Sequence, residues 1–252
     1  MLPNPLFFLQ EQFANEEYPG FDISISKKLL SQVNKNEITS LLRIYTNNKQ
    51  IAFGPSDIRN PGYKNAVKIA KENNFQVVNR LTGGHAVAFH GGTLSFAFMI
   101  HDKEAKLKMH YYFQLISTIL KSSMESMGIN CYIDELMGEY CPGQYSINIE
   151  KKIKIIGIAQ RIMSNAMYIG GFISVNNELV IKKILVPIYH SLGIDWDIKT
   201  AGSIANYIPD INHDIVINAI KNEIGKDTSI IDFTMNDNLI NDARIDQATY
   251  IS

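Results

Sequence analysis

Residues 145–175 read YSINIEKKIKIIGIAQRIMSNAMYIGGFISV, and this stretch decides the fold class of the chain. Strand-forming β-branched and aromatic residues dominate three runs within it, at 145–149, 154–162 and 166–175. No helical segment interrupts these runs, so strict alternation of strands and helices is absent. The stretch therefore favours strands that pair mainly in antiparallel fashion.

The rest of the chain adds helices and shorter strands on both sides of this stretch. Apolar residues at helical intervals predict helices over 6–17, 62–72, 106–127, 177–190 and 213–224. Further strands are predicted over 75–79, 86–89 and 93–100, and a hairpin over 41–45 and 50–53. The fold class is therefore α+β, with mainly antiparallel mixed sheets packed with helices. The polar tail, 228–252, is expected to dock as a strand or to remain loosely ordered.

Composition narrows the class of protein. The chain has 252 residues, of which 46% are hydrophobic, enough for a sizeable core. The 24 Lys and Arg residues balance 25 Asp and Glu residues, which argues against a nucleic-acid binder. No apolar run is long enough for a membrane helix, and the first ten residues lack the features of a signal peptide. We therefore expect a cytoplasmic protein whose two cysteines are reduced thiols.

One of those thiols lies in a turn. Cys141 stands in GEYCPGQY at 138–145, where a nucleophile could be exposed, although free cysteine is more often a small buried residue. Cys131 has an apolar, strand-like context that fits the core. A reactive thiolate needs a positive neighbour or a donor to lower its pKa. Neither cysteine belongs to a cluster with metal-ligand spacing, so no metal is expected.

Two further stretches carry residues that could bind a ligand. The turn RLTGGH at 80–85 combines a fixed positive charge with two glycines that let the backbone approach a ligand, but it also fits an ordinary hairpin. Lys154, at the start of an apolar strand, could donate to a carbonyl or could simply face solvent. His85 and His90 flank a predicted strand and are the best candidates for a proton shuttle near Cys141. The other histidines are expected to be structural or exposed.

Taken together, the motifs resemble one superfamily. The segments RLTGGHAV at 80–87, LSF at 94–96 and KIIGIAQR at 154–161 resemble, in this order, the lipoate–protein ligases and octanoyltransferases, a superfamily that includes biotin protein ligases. The resemblance covers about residues 41–215. YCPGQY at 140–145 is similar to the amidotransferase branch, the octanoyl-[glycine cleavage system H protein]:protein N-octanoyltransferases. The resemblance as a whole implies one biotin/lipoate-ligase-like catalytic domain, residues 1–252, without a C-terminal accessory domain.

The resemblance also implies residue roles and partners. Cys141 would be the acyl-accepting nucleophile, and Lys154 would point its ammonium at the acyl carbonyl. The acyl pocket would be lined by Arg80, Gly83, Gly84, His85 and Gly157. The implied reaction moves an octanoyl or lipoyl group between lipoyl-domain carriers, namely the glycine cleavage H protein and the acyltransferase subunits of 2-oxoacid dehydrogenases. It requires no cofactor, no metal, no nucleic acid and no membrane.

Three alternatives stay open at this point. An ATP-dependent lipoate–protein ligase shares the glycine turn and the lysine but needs ATP and Mg²⁺ rather than Cys141. An octanoyltransferase that uses octanoyl-acyl carrier protein also acts through a cysteine. A catalytically silent module could bind a lipoylated carrier without transferring its acyl group.

Overall fold

The computed structural model of the chain describes residues 1–12 and 19–251. Its strands are β1 (Leu6–Gln12), β2 (Ser40–Thr46), β3 (Gln50–Phe53), β4 (Gln76–Asn79), β5 (Val87–Phe89), β6 (Thr93–His101), β7 (Cys131–Ile133), β8 (Ile147–Ile149), β9 (Ile153–Ile162), β10 (Ala166–Ser174) and β11 (Ile230–Asp232). Its helices are α1 (Phe21–Asn34), α2 (Pro55–Ile58), α3 (Tyr63–Glu72), α4 (Met109–Glu125), α5 (Glu178–Leu192), α6 (His213–Ile224) and α7 (Asp237–Asp246).

These strands form a large sheet and a small one. The large sheet has the order β11-β1-β2-β6-β10-β9-β8-β7, and the small one has the order β4-β3-β5. From β2 to β7 every neighbouring pair in the large sheet is antiparallel, whereas β1 runs parallel to both β2 and β11. The predicted fold class, α+β with mainly antiparallel mixed sheets, is confirmed.

The large sheet is buried on both faces. Along β6, Phe96 and Phe98 point into the core shared with α4 and α6. The alternate residues Ala97 and Met99 point to the opposite face, where α1 and α7 pack. The small sheet lies with α3 and α5 over the end of that second face where β10 carries Phe172. Residues of both sheets can therefore meet in the space between them.

The first predicted helix, over 6–17, is wrong. Residues 6–12 form β1, and residues 13–18 lie outside the described part of the chain. Leu6 and Phe8 pack into one core while Phe7 and Leu9 pack into the other. A strand that is buried on both faces has no polar face to reveal its two-residue period, so its apolar run resembled a short helix.

The predicted hairpin over 41–53 is also wrong in its pairing. Both strands exist, but β2 belongs to the large sheet and β3 to the small one. The chain crosses between the sheets at Asn47, whose buried amide donates to the Asp22 carboxylate at 2.6 Å and accepts from the Ser95 hydroxyl. These tertiary partners replace the local turn that the polar residues indicated. The other four predicted helices are confirmed within three residues at each end.

The tail is docked rather than loose. Strand β11 pairs in parallel with β1, and α7 packs on α1 through the buried residues Leu239 and Ala243. An ion pair of 2.7 Å between Lys28 and Asp246 ties the same two helices together. Helix α7 was not predicted, and neither was α1. Among the described residues, no helix has the length and apolar character needed to cross a bilayer.

Candidate active site

A cavity of about 380 Å³ lies between the large sheet and the elements that cover it. Its floor crosses β9 and β10, where glycines keep the surface low. A Cβ built on Gly157 would stand 2.5 Å from the ring of Phe172, so any larger residue would displace that ring. The walls are mostly apolar and include Ala52, Leu81, Val87, Phe89, Ala159 and Phe172. The shape and lining suit a flexible apolar chain.

The polar residues that line the cavity form two groups, one near Phe172 and one near α1. Near Phe172 the lining includes Cys141, Lys154 and the turn at 80–84. Near α1 it includes Asp22, Ser26, Gln50, Tyr45 and Tyr168. Burial raises the pKa of Asp22 above its ordinary value, although Arg43 and hydrogen bonds from Gln50 and Asn47 oppose the shift. The first group is the one that includes a cysteine thiol.

Cys141 is held in an unusual backbone conformation between β7 and β8. Its φ of 45° lies in the left-handed region. Its N–H donates to the hydroxyl of Tyr189 at 2.9 Å, and that hydroxyl donates to the carbonyl of Ala86 at 3.0 Å. These bonds fix the cysteine against the turn that precedes β5, with its thiol on the cavity wall.

The surroundings of this thiol favour its ionised form. Burial raises the pKa of Cys141, but the positive charges of Arg80 and Lys154 outweigh it. Arg80 Nη2 also donates to Sγ at 3.5 Å, and the backbone N–H of His85 donates to the same sulfur. The net pKa lies below the ordinary value. Cys131 is the opposite case, since burial raises its pKa to about 12 and its side chain is in the core.

Lys154 is one of the most deeply buried charges in the described chain, with 1% of its surface exposed. Its ammonium donates to Glu139 Oε1 at 2.8 Å, to the carbonyl of Tyr140 at 3.1 Å and to the carbonyl of Cys141 at 2.8 Å. An ammonium has three N–H donors, so all of them are used by the loop that carries the cysteine. The lysine therefore holds this loop in place and brings its charge close to the thiol.

Glu139 completes this arrangement and was not singled out from the sequence. Besides Lys154, its carboxylate accepts from the hydroxyl of Ser146 at 2.6 Å, from the N–H of Gly143 at 3.2 Å and from the N–H of Leu136 at 3.0 Å. It thus fastens the loop on both sides of the cysteine. Its place two residues before the cysteine was the available signal, but a glutamate in a turn is usually exposed.

The two glycines of the turn at 80–85 have different surroundings. Gly84 has a φ of 97°, and a Cβ there would lie 2.0 Å from Arg80 Nη2 and 2.8 Å from Cys141 Sγ. A Cβ on Gly83 would meet nothing within 4 Å. Arg80 Nη2 also donates to the carbonyl of Gly83, while its buried Nε–H has no acceptor among the described residues. The turn therefore fits closely around the arginine and the thiol only at Gly84.

The structure separates the two candidate histidines. His85 lies beside Cys141, and its Nδ1 is 2.8 Å from Asp57 Oδ1. Neither histidine is part of the cavity lining, although the resemblance implied His85 there. His90 Nδ1 accepts from the N–H of Gly92 at 3.0 Å. Burial, together with the charges of His213 and Lys49, lowers the pKa of His90 to about 4. Asp57 gave no local signal in the sequence, because it is 28 residues from its partner.

Iodoacetamide is expected to modify Cys141 and to leave Cys131 unmodified in the folded protein. Because the pKa of Cys141 is lowered, its alkylation rate is expected to rise with pH through an inflection at lower pH than that of an ordinary thiol. The Arg80→Gln variant lacks a neighbouring positive charge, so its inflection is expected at higher pH. Peptide mass mapping across pH measures both thiols. Equal labelling of Cys131, or an unmoved inflection, would contradict this picture.

Comparison with known proteins gives the family of this site. Residues 19–225 match the family model of the lipoyl protein ligase A/B catalytic domain. The chain belongs to this family, as the motifs predicted. Among the described residues, no group of three or more His, Cys, Asp or Glu side chains could hold a metal ion.

The relatives include named transferases. The chain is 22% identical over 207 residues to the octanoyl-[GcvH]:protein N-octanoyltransferase of Geobacillus kaustophilus, covering 82% of this chain and 69% of that protein. It is 21% identical over 231 residues to the lipoyl-[GcvH]:protein N-lipoyltransferase of Listeria monocytogenes, covering 90% and 77%. A Thermoplasma acidophilum protein solved with bound lipoic acid shares the fold, with a TM-score of 0.75, 16% identity and coverage of 98% and 96%.

Proposed function

We propose that this protein is an acyltransferase that moves an octanoyl or lipoyl group from the glycine cleavage H protein to a lysine of another lipoyl domain. The observation that carries the proposal is the Cys141 thiol, whose pKa is lowered and which borders an apolar cavity of about 380 Å³. A ligase that makes an acyl-adenylate has no need of such a thiol. The names of the Geobacillus and Listeria relatives agree with this reaction.

The chemistry proceeds in two transfers. The Cys141 thiolate attacks the acyl carbonyl, a C–S bond forms, the C–N bond to the donor lysine breaks, and a proton completes the departing amine. The amine of the receiving lysine then attacks the thioester. A new C–N bond forms, the C–S bond breaks, and the thiolate returns. One difficult exchange of amides is thereby divided into two easier steps.

The cavity accounts for the acyl chain. Gly157 lies on its floor and lets the Phe172 ring pack closely, and Leu81, Phe89 and Phe172 provide apolar walls. Each buried CH₂ group contributes about 0.8 kcal/mol, so the tail of an octanoyl group would contribute several kcal/mol of binding free energy. The turn of Arg80, Gly83 and Gly84 borders the end where the thiol lies. We propose that these residues bind the acyl group.

Two cations support the reacting atoms. Lys154 stabilises the thiolate through its charge and fixes the loop that carries Cys141. It could reach the acyl carbonyl only by releasing one of its three present acceptors. Arg80 has a buried Nε–H without an acceptor among the described residues, so it can donate to the oxyanion that forms on the carbonyl. A well-placed donor of this kind is worth about 3–4 kcal/mol in the transition state.

The partners follow from the same chemistry. Both substrates are lysines on lipoyl domains, and we propose the glycine cleavage H protein as donor and the acyltransferase subunits of 2-oxoacid dehydrogenases as acceptors. The reaction needs a reduced thiol, the state that cysteines keep in the cytoplasm, so we propose that location. Residues 1–252 would act as one catalytic domain.

The experiment that tests this function measures acyl transfer with and without ATP. Octanoylated H protein and an unmodified lipoyl domain are incubated with the enzyme, and the masses of both carriers are followed. Transfer without ATP by the wild type, and none by Cys141→Ala, is expected. Transfer of free octanoate that requires ATP and survives in Cys141→Ala would instead establish a ligase. Carrier binding without transfer under either condition would establish a silent module.

A further inference from the structure

His85 and Asp57 form a pair beside Cys141, outside the cavity lining, that the proposed reaction does not yet use. The imidazole Nδ1 is 2.8 Å from Asp57 Oδ1, and the other oxygen of that carboxylate accepts from the N–H of Gly54 at 3.0 Å. Asp57 is therefore buried and fixed, whereas 34% of the His85 side chain is exposed. With Nδ1 facing the carboxylate, Nε2 is the nitrogen left for proton exchange.

This pair lies next to the nucleophile. The backbone N–H of His85 donates to Cys141 Sγ, so the residue that carries the imidazole touches a reacting atom. Tyr189 contacts both Cys141 and His85. Its hydroxyl accepts from the N–H of Cys141, and its ring is 6.4 Å from the imidazole ring. A thiol, an imidazole and a carboxylate are thus assembled from three separate segments of the chain.

An amide donor creates a need that the thiolate alone does not meet. The leaving group is a lysine amine, which departs as a neutral amine only if a proton reaches its nitrogen. Lys154 is poorly placed to supply that proton, because its three N–H groups bind protein acceptors and its side chain is buried. His85 is partly exposed, so its imidazole can exchange protons with solvent, and its backbone is hydrogen-bonded to the thiol that would take the acyl group.

We propose that His85, oriented by Asp57, is the acid–base residue for the two lysine amines; this inference rests on the proposed function. In the first transfer the imidazolium gives its Nε2 proton to the departing nitrogen as the C–N bond breaks. In the second transfer the neutral imidazole takes a proton from the attacking amine as the C–S bond breaks. The proton given in the first transfer is recovered in the second, so the cycle needs no further acid or base.

The test compares two acyl donors with leaving groups of different basicity. The donors are octanoylated H protein, which must release an amine, and p-nitrophenyl octanoate, which releases a phenolate that needs no proton. Acylation of Cys141 is measured by mass in single-turnover reactions of the wild type and of His85→Gln. The variant is expected to be slower by about 100-fold with the amide donor and by no more than about threefold with the ester. Exposed His190, on α5 and outside the cavity lining, gives the control His190→Gln, which is expected to match the wild type.

Three other results would overturn either the role of His85 or the proposed function. Equal loss with both donors would show that His85 only positions the thiol, and no loss with the amide would remove it from the reaction; either outcome overturns the inference. Asp57→Asn keeps an acceptor for Nδ1 but loses the charge, and a loss of about tenfold confined to the amide donor is expected. A wild type that accepts neither donor would contradict the proposed function itself, which distinguishes that failure from one confined to His85.

Discussion

The Lys154→Met variant is expected to lose both catalytic activity and folding stability. Removing the ammonium leaves the Glu139 carboxylate buried without its cation, which costs about 3–5 kcal/mol. The loop that carries Cys141 loses two bonds to its carbonyls, and the thiol loses one of the charges that lower its pKa. Acyl transfer is expected to fall by about 10²–10³-fold. Urea unfolding and single-turnover acylation measure the two effects.

A double variant separates the structural role of the lysine from its catalytic role. In Lys154→Met with Glu139→Gln, no buried charge is left unpaired, so much of the lost stability is expected to return. The charge near Cys141 is still missing, so activity is expected to stay low. Recovery of activity together with stability would contradict a catalytic role and leave the lysine as an anchor only.

The Gly84→Ala variant is expected to lose about 100-fold or more in acyl transfer while it remains folded. The new Cβ would lie 2.0 Å from Arg80 Nη2 and 2.8 Å from Cys141 Sγ, in a backbone conformation with a φ of 97° that alanine rarely adopts. The arginine, the thiol or the turn must move. A displacement of about 1 Å of a reacting group is enough to cost a factor of about 100.

Gly83→Ala is the matched comparison within the same turn. A Cβ at this position meets nothing within 4 Å, so the variant is expected to lose at most a few-fold. Measuring kcat/KM for both variants, together with the pH dependence of Cys141 alkylation, links activity to the thiol environment. Equal losses in the two variants would show that the turn needs flexibility rather than the close fit at Gly84.

The sequence was most informative where strand-forming residues dominate an uninterrupted run. The runs at 154–162 and 166–175 correspond to β9 and β10 within a residue, since enrichment in β-branched and aromatic residues is a local signal. Helix α1 was missed because its buried positions include Asp22, Ser24 and Ser26, which interrupt an apolar face. Asp22 and Ser26 are buried because other elements supply hydrogen-bond partners, Asn47 and Gln50 for Asp22 and Arg43 for Ser26. No local pattern contains that information.

For the candidate site too, the sequence predicted one part and the tertiary structure was needed for the other. The order of the glycine turn, the cysteine turn and the lysine strand predicted the family, which the comparison confirmed. What each residue touches is a matter of tertiary structure. The ammonium of Lys154 binds Glu139, 15 residues away, and the ring of His85 binds Asp57, 28 residues away. Neither pairing follows from spacing, because each depends on how neighbouring strands pair: β7, β8 and β9 in the large sheet for Lys154 and Glu139, and β3 and β5 in the small sheet for His85 and Asp57.

The most direct measurement is the mass of the intact protein after incubation with octanoylated H protein in the absence of ATP and acceptor. We expect one octanoyl group, labile to hydroxylamine as a thioester is and mapped to Cys141. The same adduct is expected in Cys131→Ser and none in Cys141→Ala. An acyl group found on Cys131, or transfer between carriers that proceeds in Cys141→Ala, would contradict a mechanism through the Cys141 thioester.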